Sequence, residues 1–181
     1  LKKIKAVFNN SFVEAIDLIL GCKGKIIFAG IGKSGLIARK ISVTFSSVGI
    51  PSFFCDPAQA LHGDMGQIEK KDILVIISYS GNTSELSNML RYANRYRIKI
   101  VGIASKVESI LLKASELILP KVKESDRTGI VPTTSTTLTL LLGDCLATTV
   151  MHQRKFSREK FKVFHPGGNI GKTLLLAKDI M

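Results

Sequence analysis

Two short stretches of this sequence set small and hydroxyl-bearing residues where an apolar run gives way to a helical pattern. In "FAGIGKSGLIARK", Gly30, Gly32 and Gly35 let the backbone turn tightly and approach a ligand, and Lys33 and Ser34 stand at the helix start. In "ISYSGNTSEL", residues 77–86, the hydroxyls of Ser78, Ser80, Thr83 and Ser84 gather near the amides of a helix N-terminus. Gly81 removes a side chain that would obstruct backbone approach. Both stretches have the chemistry of an anion site, and a phosphate fits it. The second also reads as an ordinary helix cap, with Ser80 or Asn82 satisfying free amides and Glu85 completing a capping box. Positive charge at a helix N-terminus opposes the macrodipole, so an anionic ligand explains Lys33 better than solvent does.

The spacing of Gly30, Gly32 and Gly35 matches G-x-G-x-x-G, a dinucleotide fingerprint, and Asp56 supplies an acidic residue about twenty positions on. Pro57 beside that aspartate and Lys33 within the loop make a nicotinamide site less attractive, and the full P-loop spacing is absent.

The elements that must position these junctions are legible as apolar runs. "KIIFAG" (25–30), "PSFFC" (51–55), "DILVIIS" (72–78) and "KIVGIA" (99–104) are apolar on both faces, and "ELILPK" (116–121) is a weaker fifth. Helical periodicities fill about 34–48, 83–96 and 107–114. This alternation predicts a doubly wound α/β fold with a parallel sheet, whose ligand crevice lies at the carboxyl ends of the strands. "DRTGIVPTTSTT" then leads into a long apolar helix ending near residue 152, with hydroxyls expected to cap its amides, followed by a short helix from "SREKF" and the turn "HPGGNIG".

The chain has 181 residues, 45% of them hydrophobic and 22% charged, enough apolar surface for one substantial core and against disorder. We expect one domain. The longest apolar candidate for a membrane span, "LTLLLGDCLATTVM", carries Asp144, and the N-terminus lacks a cleavage signal, so a cytoplasmic location is expected. Cys22, Cys55 and Cys145 are odd in number and widely spaced, indicating neither a disulfide framework nor a zinc site. The net charge of +12 is dispersed without an aromatic stacking platform, and reads as solvated surface that steers small anions rather than as a nucleic-acid or membrane footprint.

Taken in order, "GIGKSG", "PSFF", "PAQALHGDMG", "SYSGNTSE", "PTTSTTLTLLLGDCLA" and "FHPGGNIGK" resemble the sugar isomerase (SIS) domain, more narrowly the bacterial arabinose-5-phosphate isomerase family. The resemblance covers about Gly21 to Met181. It implies a five-stranded parallel sheet in a flavodoxin-like three-layer sandwich, and interconversion of D-ribulose 5-phosphate and D-arabinose 5-phosphate through an enediol, for the octulosonate sugar of lipopolysaccharide. It implies no cofactor, no metal, and a homodimer or homotetramer in which one histidine reaches a neighbour's site. Family members commonly continue into paired cystathionine-β-synthase-type domains, so the chain is expected to be the catalytic domain of something longer.

By the same resemblance the catalytic candidates are Lys33, Glu85, Glu124, His165 and His62. Substrate-binding candidates are Gly32, Ser34, Ser78, Ser80, Gly81, Thr83 and Ser84. A partly buried carboxylate can be raised towards neutrality, which would suit Glu85 or Glu124 to carry a proton between carbons, and sequence alone does not choose between them. A histidine could exchange protons with the sugar oxygens, while Lys33 stabilises enediolate charge. Thr133, Ser135 and Thr136 are further candidates to line the sugar site, against a capping role, and His152 reads as a surface residue. Gln59 stands where relatives often carry Glu, which argues against a carboxylate role for that loop. A non-catalytic phosphosugar-sensing module is the competing reading.

Overall fold

The computed structural model describes residues 8–114, 117–118, 124 and 127–166. Five strands run parallel: β1 (Ile26–Gly30), β2 (Ser52–Cys55), β3 (Ile73–Ile77), β4 (Lys99–Ala104) and β5 (Leu117–Ile118). Their order is β2-β1-β3-β4-β5, with Ile26 level with both Ser52 and Ile73. The chain reverses direction across the sheet between β1 and β3, which opens a crevice at their carboxyl ends. Every residue of β1 and β3 is buried, as expected of central strands covered on both faces.

The helices are α1 (Asn10–Leu20), α2 (Gly32–Ser47), α3 (Pro57–Ala60), α4 (Leu86–Tyr96), α5 (Ile110–Ala114), α6 (Thr134–Gln153) and α7 (Arg158–Phe164). Alternate strand residues sort them into two layers. Phe28, Val75 and Ile77 pack with Phe12 and Ile16 of α1, Ile41 and Phe45 of α2, and Leu142 and Leu146 of α6. Ile27, Leu74 and Ile76 pack with Leu86 and Met89 of α4 and Leu111 of α5 on the other face. The three-layer, doubly wound α/β expectation is met.

The sequence reading passes over α1, although Asn9 accepts from the amide of Phe12 as its cap and Phe12, Ala15, Ile16 and Ile19 form its buried stripe. It also starts α4 too early. That helix begins at Leu86 because Gly81 takes a positive φ of 67° and the intervening residues bond among themselves. The final turn "HPGGNIG" lies outside the described residues beyond Pro166. Among the described residues no helix is long and apolar enough to cross a membrane.

Candidate functional site

A cavity of about 480 Å³ opens at the carboxyl rim of the sheet. Its polar wall holds Lys33 and Ser34 from the start of α2, Ser135 and Thr136 from the start of α6, and Glu124. Ile31, Ile37 and Ile130 supply apolar wall, and Tyr79 lies beside them from the end of β3. Two helices therefore present their N-terminal ends to one space.

The turn into α2 depends on its glycines. An added Cβ at Gly35 would lie 2.6 Å from the carbonyl oxygen of Gly30, so this close return of helix onto strand admits no larger residue. Gly32 has a φ of 58°, and a Cβ there would meet nothing within 4 Å, leaving its backbone open on that side. No side chain caps α2. Its first amides and the Lys33 ammonium form an electropositive wall, and among the described residues Lys33 has no ion-pair partner.

The start of α6 is different. The sequence "PTTSTT" predicts hydroxyl capping, but Thr133 makes no side-chain cap bond. Glu124 does the capping instead: its Oε2 accepts from the amides of Thr133 at 2.8 Å, Thr134 at 2.7 Å and Ser135 at 3.4 Å, and from the Thr133 hydroxyl at 3.3 Å. Its Oε1 accepts from the Ser135 hydroxyl. Burial pushes this carboxyl upward, yet the bonds from Ser135, Thr133 and Thr134 outweigh it and hold it below its ordinary value.

The loop after β3 uses its hydroxyls internally. Ser78 and Thr83 hydroxyls lie 3.0 Å apart, Ser78 Oγ accepts from the Gly81 amide at 3.1 Å, and Ser80 Oγ accepts from the Asn82 amide at 3.3 Å. Asn82 Oδ1 accepts from Ile110 at 3.0 Å, at the start of α5 rather than α4. Glu85 occupies the cap position of α4 with no side-chain cap bond, so the capping box does not form. Its Oε2 accepts from the Ser84 hydroxyl at 2.8 Å. Its own backbone amide and then Ser84 hold the carboxyl below the ordinary range. The raised glutamate expected for proton transfer is thus absent at both positions, because each is solvated by donors rather than enclosed by apolar groups.

The histidines stand elsewhere. His165 ends α7, its Nδ1 lies 2.8 Å from the Phe161 carbonyl oxygen, and its ring stacks on Phe161 at 3.8 Å. It faces a groove on the outer side of α2 with Leu36, Arg39 and Lys40, apart from the cavity. His62 is exposed in the turn after α3, as is Gln59 on α3, and His152 is exposed near the end of α6. Among the described residues no group of three or more His, Cys, Asp or Glu is arranged to hold a metal. Sequence reasoning brought Lys33, Ser34, Glu124, Ser135 and Thr136 to one place and missed Tyr79, Ile31 and Ile130. Tyr79 stands inside the quoted hydroxyl-rich stretch, so its position was available as a signal.

The chain is 44% identical over 183 residues to the uncharacterized protein RP505 of Rickettsia prowazekii, covering 98% of this chain and 57% of that protein. It is 42% identical to arabinose 5-phosphate isomerase KdsD of Pseudomonas aeruginosa, covering 97% and 55%. The chain thus spans a little over half the length of these curated relatives. Among solved structures, c3406 of E. coli CFT073 in complex with arabinose 5-phosphate matches with a TM-score of 0.85 at 34% identity, covering 91% of this chain and 90% of that one. The SIS domain family matches residues 19–149, which run from the end of α1 to the last turns of α6, and the chain belongs to that family.

Proposed function

We propose that this protein is an aldose-ketose isomerase that interconverts D-ribulose 5-phosphate and D-arabinose 5-phosphate through an enediol, supplying the octulosonate sugar of lipopolysaccharide from the cytoplasm. The observation that carries the reading is the cavity at the sheet's reversal point, where an uncapped helix N-terminus with Lys33 and Ser34 faces a wall of carboxylate and hydroxyls. The naming of the P. aeruginosa relative and the ligand of the E. coli structure support the same substrate class.

In this scheme the phosphate is held by Gly32, Ser34 and the hydroxyl loop of Ser78, Ser80, Gly81, Thr83 and Ser84, once the loop's internal bonds exchange for the ligand's oxygens. A carboxylate, Glu85 or Glu124, takes a proton from C1 of the ketose and returns one to C2, while Lys33 balances the enediolate charge. His165, facing outward beside α2, serves the site of a neighbouring copy in a homodimer or homotetramer, with His62 as the other candidate for exchange with sugar oxygens.

Incubation with ribulose 5-phosphate in deuterated water is expected to give arabinose 5-phosphate carrying deuterium at C2. Firm binding without product would instead favour a sugar-phosphate sensor. Glu85→Gln and His165→Ala are expected to lower turnover with the fold intact, and unchanged rates in both would contradict these roles. Mixing Lys33→Ala with His165→Ala protein should restore part of the activity if the histidine crosses between copies.

A further inference from the structure

The two carboxylates left as alternatives for proton transfer differ in what already occupies them. Glu85 accepts one side-chain hydroxyl bond, from Ser84. Glu124 receives five donors on its two oxygens: three amides and two hydroxyls, all from Thr133, Thr134 and Ser135. Nothing else on a side chain closes this end of α6, which has neither a side-chain cap from Thr133 nor an acidic residue in its first turn. The helix is 20 residues long, so the amides at its start carry the positive end of a full macrodipole.

We propose that Glu124 is a positioning residue, the fixed anion that anchors the N-terminus of α6 and holds Ser135 and Thr136 against the cavity, and that it does not carry the proton between carbons. The inference rests on the isomerase reading and assigns roles within its site. A base must alternate between charged and neutral forms. Each protonation of Glu124 would convert an acceptor of amides into a hydroxyl and leave helix donors unmatched, so the chemistry would loosen the cavity wall at every turnover. Each approach of its lone pairs to substrate would require the same bonds to break. The anchoring also shapes the space directly, because Gly129, Ile130 and Pro132, between Glu124 and α6, line the same cavity. Proton transfer then falls to the less committed carboxylate, Glu85.

The test compares Glu124→Gln with Glu124→Ala in the whole chain. Glutamine keeps a neutral acceptor for the α6 amides and cannot act as a base. If Glu124 positions, amide hydrogen exchange at Thr133, Thr134 and Ser135 should quicken by about tenfold in Glu124→Ala, the loss typical of a helix cap, and by less in Glu124→Gln. Deuterium incorporation at C2 should recover in Glu124→Gln relative to Glu124→Ala, with the defect in Glu124→Gln mainly in KM. A Glu124→Gln protein that binds the sugar phosphate yet exchanges no C2 hydrogen would overturn the proposal, and so would unchanged protection of the three amides in both variants. Should Glu124→Ala not fold, Glu124→Gln against the wild type gives the same two readings. If the wild type itself fails to exchange C2, the isomerase reading falls, and the amide protection alone decides whether Glu124 anchors α6.

Discussion

The cavity is bordered by two helix N-termini built from opposite solutions to the same electrostatic problem. Helix α6 carries its own anion, Glu124, brought from nine residues upstream and saturated by backbone and hydroxyl donors. Helix α2 has no side-chain cap, and where a carboxylate would relieve its positive end it instead presents Lys33. The first end is satisfied by the chain itself; the second has two sources of positive charge and no internal partner among the described residues. An external anion gains most at α2. The same hydrogen-bonding capacity therefore serves architecture at one helix and recognition at its neighbour.

The largest effect should come from removing the charge that marks the open end. Lys33→Ala is expected to lower kcat/KM by about a thousandfold, with thermal unfolding unchanged, since it deletes a stabiliser of developing charge and no packing. A smaller activity loss than at Glu124→Ala would reverse the ranking of the two helix ends. The contrast can also be erased deliberately. Ile31→Asp gives α2 a capping carboxylate of its own, and sugar-phosphate affinity measured by calorimetry should fall by about tenfold or more through competition for the amides and repulsion of the phosphate.

Acid provides a graded version. Glu124 is held below its ordinary value of 4.5, so its stabilisation of α6 is complete above that value and is lost as pH falls through the lower folded one. Amide protection at Thr133 and Thr134 should persist through the mildly acidic range and disappear only beneath it; early loss near neutrality would show that the anchor is weak. The smallest change is expected for Ser135→Ala, which removes one of five donors to Glu124 and should cost about 1 kcal/mol in urea unfolding.

How far the sequence exposed this arrangement depends on the range of the interactions. The strands were visible because central parallel strands must be apolar throughout, as in "KIIFAG" and "DILVIIS". Lys33 and Ser34 were visible because the glycines around them have few other uses. The capping of α6 was not, because Glu124 reaches Thr133, Thr134 and Ser135 through a fold of the chain that no local pattern encodes, and the nearby hydroxyls offered a plausible local substitute. The loop after β3 misled for a related reason: its hydroxyl count was right for an anion site, but Ser78 and Thr83 bond each other, and Asn82 serves α5. Types of residue foretold capacity, while the distribution of partners required coordinates.

Gly143 of α6 has a further consequence. A Cβ there would overlap Cδ1 of Ile41 on α2, and Lys40 meets Asp144 at 2.5 Å alongside. This tight seam welds the two rods near their middles, so the lysine-bearing tip and the carboxylate-bearing tip move as jaws of one rigid tool. Any strain that a bound molecule places on one jaw is delivered to the other without a moving joint between them.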